Sequence, residues 1–278
     1  MRTARFLILA AALALELGAA SAARAFGQEG HSIVAEIAQR RLAPAATAQV
    51  AVLLGPGASL ASAASWADDI REARPQTANW HFVNLPLASD AYDPARDCAP
   101  SPRGDCILAA LERARATLAD AAAPKPARTE ALMWVVHLVA DLHQPLHTVT
   151  EDRGGNTFPV RFFTDPTGRL VADTNLHRLW DSGLVGYRHW NWGAWVDRLE
   201  RDWLPGADRA ALEAGTPVDW MRESHVYART TAVAGISKGD TLGADYAGRV
   251  MPGLDRQLGA AGLRLARLLN TALAAPGG

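Results

Sequence analysis

The stretch His137-Leu-Val-Ala-Asp-Leu-His-Gln-Pro-Leu-His147 gathers the side chains best suited to chemistry in this chain. His137 and Asp141 are four residues apart, so on a helix they share a face. The preceding run, Ala131-Leu-Met-Trp-Val-Val136, is apolar, which predicts that the helix is buried. Pro145 cannot continue that helix and biases Gln144 toward extended backbone. The helix should therefore end near His143, with His147 just past the break and close to Asp141. A buried aspartate among buried imidazoles is unfavourable unless something compensates it, and a divalent metal ion does so. A single His-x-x-x-Asp on a helix is more often an ion pair or a core hydrogen bond than a pair of ligands. Here there is a second copy, His177 and Asp181 within Asn175-Leu-His-Arg-Leu-Trp-Asp181. With His147 added, the metal reading becomes the favoured one.

Eight side chains are candidate ligands: His31, Asp68, His81, His137, Asp141, His147, His177 and Asp181. None is a cysteine. Nitrogen and carboxylate donors without thiolate suit a hydrolytic zinc site that keeps open positions. Eight ligands exceed one tetrahedral shell, but they can serve two or three ions if Asp141 bridges. Clustered divalent ions favour phosphoester hydrolysis, since they can acidify water and take up a leaving oxygen. No motif for a serine or cysteine nucleophile is present. His143 follows Asp141 by two residues and so lies on another face, in a supporting place. His189 and His225 read as surface or core histidines, and Asp69 as a solvated neighbour of Asp68. Trp190, Trp192, Trp195 and Trp203 read as core.

These residues must be positioned mainly by helices. His31 opens a helical pattern with Ile33, Val34, Ile37 and Leu42 inward. Pro44 starts a second helix to Leu54, ended by Gly55-Pro-Gly57. A third helix is predicted from Ser59 to about Arg74, carrying Asp68 and Arg71. Trp80 to Leu85 reads as extended or irregular, and residues 86–105 as a loop. Helices follow over about 106–122, from about Arg128 to His143, and over about 175–185, 191–204, 217–235 and 253–274. Residues 157–163 and 169–172 can pair as a small hairpin around Asp165-Pro-Thr-Gly168, after a turn at Gly154-Gly-Asn156. No repeat, linker or domain boundary stands out, so the simplest account is one all-α domain with a small hairpin.

Composition narrows the class further. The 278 residues are 49% hydrophobic and 21% charged, with 28 basic and 29 acidic side chains. A net charge of −1 gives no bulk basic field for nucleic acid, although clustered metal ions carry positive charge of their own. Lys125 and Lys238 are the only lysines. Residues 1–25 read as a signal segment: Arg2 and Arg5, an apolar core from Phe6 to Leu17, then Ala23-Arg-Ala25 as a small-x-small cleavage site. That core is too short to span a membrane. The remaining chain, 26–278, would be exported to a periplasmic or extracellular space, where Cys98 and Cys106 are expected to form a disulfide.

The ordered set of motifs resembles the S-one/P-one nuclease family, zinc-dependent single-strand nucleases and 3′-nucleotidases distantly related to bacterial phospholipase C. The resemblance runs through Gly30-His31, Trp66-Ala-Asp68 with Arg71, His81-Phe82, His137 to His147, Gly154-Gly-Asn156, Asn175 to Asp181, Glu223-Ser224 and Gly262 to Asn270. It implies a single-domain phospholipase C/nuclease-like helical fold and three zinc ions. Asp68, His81, His137 and Asp141 match the ligands of the first ion. Asp141 would bridge to a second, held by His31 and by the amine and carbonyl of Phe26. His147, His177 and Asp181 match the ligands of a third, more separate ion. The resemblance implies catalytic roles for Asp68, Asp141 and the phosphate-contacting Arg71, and substrate contacts for Phe82 (base stacking), Asn84 and Asn156. It further implies single-stranded DNA, RNA and 3′-nucleotides as substrates of a monomer with no membrane partner. Two positions depart from the family pattern. Phe26 stands where tryptophan is usual, and Asn84 stands where some fungal members have a base-binding aspartate. Two rival readings are a phospholipase C with another leaving group and a catalytically silent zinc-binding protein.

Overall fold

The structure, a computed structural model, describes residues 26–89, 91–163, 171–188 and 191–274. The signal segment over 1–25, the turn at Asp165–Gly168, His189 and Trp190 lie outside the described residues.

The fold is built around a helix that is apolar on nearly every side. Helices α1 (Gln28–Gln39), α2 (Pro44–Leu54) and α3 (Ile107–Ala119) precede α4 (Lys125–Leu142). Every residue of α4 from Trp134 to Leu142 is buried, the pattern of a helix enclosed by others. It ends at His143 as expected. Gln144 is extended at φ −82°, ψ 113°, and Pro145–Thr148 forms a tight 3₁₀ turn that buries His147. Helix α5 (residues 176–188) carries the second His-x-x-x-Asp pair, followed by α6 (192–203) and α7 (Pro217–Tyr227). The last helix, α8 (Ala244–Ala272), buries Val250, Leu254, Leu258, Leu265 and Leu269 along one stripe.

Helix α8 packs against α1 closely enough that position 262 must be glycine. A Cβ there would lie 2.4 Å from Ile37 Cγ2 and 3.3 Å from the Val34 carbonyl oxygen. Gly262→Ala is therefore expected to lower stability by about 1–3 kcal/mol through overpacking, read as a lower denaturation midpoint. An unchanged midpoint would show that the two helices can separate without loss. Asn270, near the end of α8, accepts from Ala43 N–H at 2.7 Å and donates to the Arg41 carbonyl at 3.0 Å, stitching the α1–α2 connection.

A small sheet forms beside the helices. Strand β1 (Pro159–Phe163) pairs antiparallel with β2 (Val171–Asn175), so the expected hairpin is present with its second strand shifted from 169–172. A two-residue strand, β3 (Thr241–Leu242), pairs parallel to β1 on its other side. Four other expectations are corrected. The helix predicted over 59–74 is two single turns, Leu60–Ala63 and Trp66–Asp69; Ser59 caps the first and the chain turns again before Asp68. The loop over 86–105 contains the short helix Pro94–Asp97, capped by Asp93. A further one-turn helix, Arg209–Glu213, lies between α6 and α7. Helix α8 begins nine residues before Gly253, because Pro252 is tolerated inside a helix whose stripe is buried on both sides of it. Cys98 and Cys106 form the expected disulfide, tying the loop to the start of α3. Among the described residues no helix is long and apolar enough to cross a membrane.

Candidate metal centre

All eight candidate ligands converge from separate elements. His31 lies on α1, Asp68 on the turn Trp66–Asp69, His81 on the segment after it, His137 and Asp141 on α4, His147 on the 3₁₀ turn, and His177 and Asp181 on α5. Three groups have ligand atoms within 4.8 Å of one another: His31, His137 and Asp141; Asp68, His81 and His137; and His147, His177 and Asp181.

The first two groups share α4. His81 Nδ1 lies 3.0 Å from His137 Nε2, 3.1 Å from Asp141 Oδ2 and 3.6 Å from Asp68 Oδ1. His137 Nε2 is 3.0 Å from Asp141 Oδ2 and 3.7 Å from Asp68 Oδ1. Ligands about 2.0–2.1 Å from a tetrahedral zinc ion stand roughly 3.3 Å apart, and these spacings bracket that value. The other Asp141 oxygen, Oδ1, is 3.1 Å from His31 Nε2, while His31 Nδ1 is directed at the Phe26 carbonyl. Phe26 is fully buried, with its ring against Gly30, and the next residue, Gly27, donates to the Asp181 carbonyl at 2.7 Å. In the third group, His147 Nε2 is 3.8 Å from Asp181 Oδ1 and His177 Nε2 is 3.4 Å from Asp181 Oδ2. The His147 and His177 rings stack with centroids 5.1 Å apart.

Backbone carbonyls orient the imidazoles. His137 Nδ1–H donates to Ala64 O at 2.8 Å, His147 Nδ1–H to His81 O at 2.8 Å, and His177 Nδ1–H to Gly154 O at 2.6 Å. Each bond fixes the tautomer and leaves Nε2 with its lone pair facing the cluster. The Gly154 carbonyl is delivered by a left-handed turn in which Asp152 (φ 50°) and Arg153 (φ 56°) adopt a conformation that non-glycine residues rarely take. Lys238 pairs with Asp152, and Asn156 Nδ2 donates to Arg153 O at 2.9 Å, holding the turn. Gly154 has no alternative: a Cβ would lie 2.7 Å from Leu146 O.

The electrostatics favour a cation. Burial lowers His147 to about 3 and His177 to about 4, so both are neutral and able to donate a lone pair. Burial would also lower His137, but Asp141 and Asp68 outweigh it and raise it to about 9. The two carboxylates thus call for positive charge at this place. Burial opposes the charge of Asp141, yet His137 and His147 hold its carboxyl well below the usual range. Asp68 Oδ1 and Asp181 Oδ2 are buried and have no hydrogen-bond partner, a penalty of about 1–3 kcal/mol each that a metal ion would remove. The donor set, the spacings and these orphaned oxygens fit divalent metal ions.

Around this core, Arg71 Nη2 donates to Ala78 O at 3.1 Å, and its charge lowers both His81 and His177, placing it near both ends of the cluster. Phe82, next to His81, is half-buried; Asn84 is exposed and Asn156 half-buried. Trp195 is in the core, and Trp192 and Trp203 pack against it. Asp69 is exposed, and His225 is buried, donating from Nδ1 to Thr148 O at 2.9 Å.

Two residues important to the arrangement escape a reading by motif. Gln144, fully buried, donates to Asp181 Oδ1 at 2.6 Å and accepts from Leu146 N–H at 2.6 Å, so the pre-proline position couples the helix end to the third group. Arg264 of α8, also fully buried, donates to His143 Nε2 at 2.9 Å and Glu223 Oε2 at 2.7 Å. His143 therefore faces Arg264, with Nδ1 on Val139 O at 2.7 Å, and not the cluster. His143→Ala should cost about 1–3 kcal/mol, since it strips a partner from a buried guanidinium, while metal content stays unchanged. Metal loss equal to that of an Asp141 variant would contradict this placement.

A family model described as S1/P1 Nuclease matches residues 26–274. Endonuclease 2 of Arabidopsis thaliana is 31% identical over 268 residues, covering 88% of this chain and 89% of its own length. Nuclease P1 of Penicillium citrinum is 28% identical over 275 residues, covering 88% and 97%. Nuclease S1 of Aspergillus oryzae is 28% identical over 279 residues, covering 90% and 93%.

Proposed function

The chain belongs to the S1/P1 nuclease family, and on that premise we propose that it is an exported, zinc-dependent nuclease and 3′-nucleotidase. Family membership makes it a hydrolase of phosphodiester bonds in nucleic acid. The finer reading is a single domain, 26–278, released from a signal segment over 1–25. It would cleave single-stranded DNA and RNA to 5′-phosphorylated products and remove 3′-phosphates from nucleotides. One observation carries this reading: eight histidines and aspartates from six places in the chain meet in three groups around Asp141.

Asp68, His81, His137 and Asp141 would hold one zinc ion, and Asp141, His31 and the Phe26 backbone a neighbour. His147, His177 and Asp181 would hold the third. When bound, the ions supply acidity to water at the Asp141 pair and neutralise charge on the departing 3′-oxygen at the separate group. Arg71 contributes a fixed guanidinium to the charge that develops on the phosphoryl oxygens. Phe82 offers a ring face to an unpaired base, which a duplex does not expose, and so favours single strands. Asn84 and Asn156 would be polar contacts for the nucleotide.

The test assays zinc-loaded protein on single-stranded DNA, duplex DNA, RNA, a 3′-nucleotide and phosphatidylcholine. The reading expects cleavage of both single strands to 5′-phosphorylated products, and phosphate release from the 3′-nucleotide. Hydrolysis of phosphatidylcholine alone would replace it with a phospholipase. Zinc binding with no hydrolysis of any substrate would replace it with a silent metal-binding protein.

A further inference from the structure

We infer that a cavity beside the third group, centred on Arg178, is a subsite for the phosphate on the 5′ side of the nucleotide whose 3′-oxygen departs. The cavity measures about 370 Å³ and is lined by Asn156, Thr157, Pro159, Thr174, Asn175 and Arg178. Its walls are the chain neighbours of the group itself. Arg178 follows His177, Asn175 caps the helical turn that carries both by accepting from Arg178 N–H at 2.8 Å, and Asn156 follows the Gly154–Gly155 turn that holds the His177 ring. A ligand in the cavity would therefore meet residues joined directly in the chain to those of the group assigned to the departing oxygen. This inference rests on the nuclease reading.

The lining holds one cation and no carboxylate; Asn156 Nδ2 already donates to Arg153 O, Thr157 Oγ1 to Asp152 Oδ1, and Asn175 Oδ1 accepts from Arg178 N–H, which leaves the Arg178 guanidinium as the group turned to an anion. The Arg178 side chain is exposed and makes no hydrogen bond or ion pair with any described residue. Two acidic groups nearby in the chain are held elsewhere, and a third lies across the sheet from an arginine. Asp181 is buried on Gln144, Asp152 pairs with Lys238, and Asp173 stands opposite Arg161 in the sheet register. A guanidinium with no side-chain partner among the described residues is matched in charge and fork geometry by a phosphate. The subsite would make the enzyme favour substrates that carry a phosphate on that 5′ side, as every internal nucleotide of a strand does, over nucleoside 3′-monophosphates.

The experiment compares two dinucleotides of the same sequence, one with a 5′-hydroxyl and one with a 5′-phosphate, on zinc-loaded wild type, Arg178→Gln and Arg178→Lys. Wild type is expected to favour the 5′-phosphorylated substrate by about tenfold in kcat/KM, through KM, the size of one charge-assisted contact. In Arg178→Gln that ratio should collapse toward one, and Arg178→Lys should restore much of it. Using the ratio cancels any damage to the neighbouring His177 that affects both substrates alike. In parallel, binding of a non-cleavable phosphorothioate single strand is followed against salt. Its slope should fall by about 0.7 in Arg178→Gln, one released counterion on a single strand. A wild-type ratio near one, or a ratio and slope unmoved in Arg178→Gln, overturns the subsite while leaving the nuclease reading intact. Failure of wild type to cleave either dinucleotide overturns both.

Discussion

Replacing Asp141 by alanine is expected to remove two metal ions from the protein at once and to lower nuclease activity by on the order of 10³-fold or more, beyond the 10–100-fold typical of a partner that only orients a ligand. The reason is its position. One carboxylate oxygen lies within 3.1 Å of His31, and the other within about the same distance of both His81 and His137. Loss of that carboxylate leaves His31 without a carboxylate partner and His81 and His137 with Asp68 alone. Removing one member of a buried charged cluster also costs about 3–5 kcal/mol of stability, so the variant needs its fold checked by circular dichroism. Asp141→Asn keeps the volume and separates packing from charge. Metal analysis of both folded variants, beside single-stranded DNA hydrolysis, checks the prediction. A variant that keeps all its metal would contradict the shared role of Asp141.

Much of this centre is legible in the order of the residues because its logic is local. The i, i+4 spacing of His137 and Asp141 fixes one face of α4, and Pro145 dictates where that helix stops, so His147 must lie nearby. His177 and Asp181 follow the same rule on α5. The parts that are not legible depend on contacts between distant segments. Nothing in Gln144-Pro145 indicates that the glutamine will brace Asp181, 37 residues away. Arg264 reads as an ordinary polar position of an amphipathic helix, yet it is buried against His143. The carbonyls that orient His137 and His177 belong to Ala64 and Gly154, and backbone acceptors carry no signature in residue type. The start of α8 is hidden for the opposite reason: a strong local signal, Pro252, is overruled by packing on both sides of it. A strand of two residues, β3, is too short to show alternation.

The second large effect concerns the N-terminus. Protein that begins at Phe26 is expected to bind one more zinc ion than protein retaining a few residues before it, and to be more active by about 10–100-fold. Phe26 is buried, and its carbonyl faces His31 Nδ1. The amine of a chain cut there belongs to the same residue and so lies within a few ångströms of that carbonyl. A free amine, with a pKa of roughly 7.7–8.0, loses its proton readily beside a cation, whereas the nitrogen of an uncut chain is an amide and a poor ligand. Processing would then complete the site only after export. The Phe26 ring packs against Gly30, and the carbonyl directed at His31 is a backbone group that does not depend on the ring. Zinc content measured on the two forms decides the matter, and equal content with equal activity would remove the idea.

Cleavage of nucleic acid by this helical scaffold depends on metal ions gathered around Asp141. This dependence is tested most directly by stripping the processed protein with a chelator, adding zinc back in steps, and following hydrolysis of single-stranded DNA. The expected result is no measurable rate in the stripped protein and a rate that rises with zinc to a plateau at three equivalents per chain. A stripped protein that cleaves at full rate, or one whose rate ignores added zinc, would contradict it.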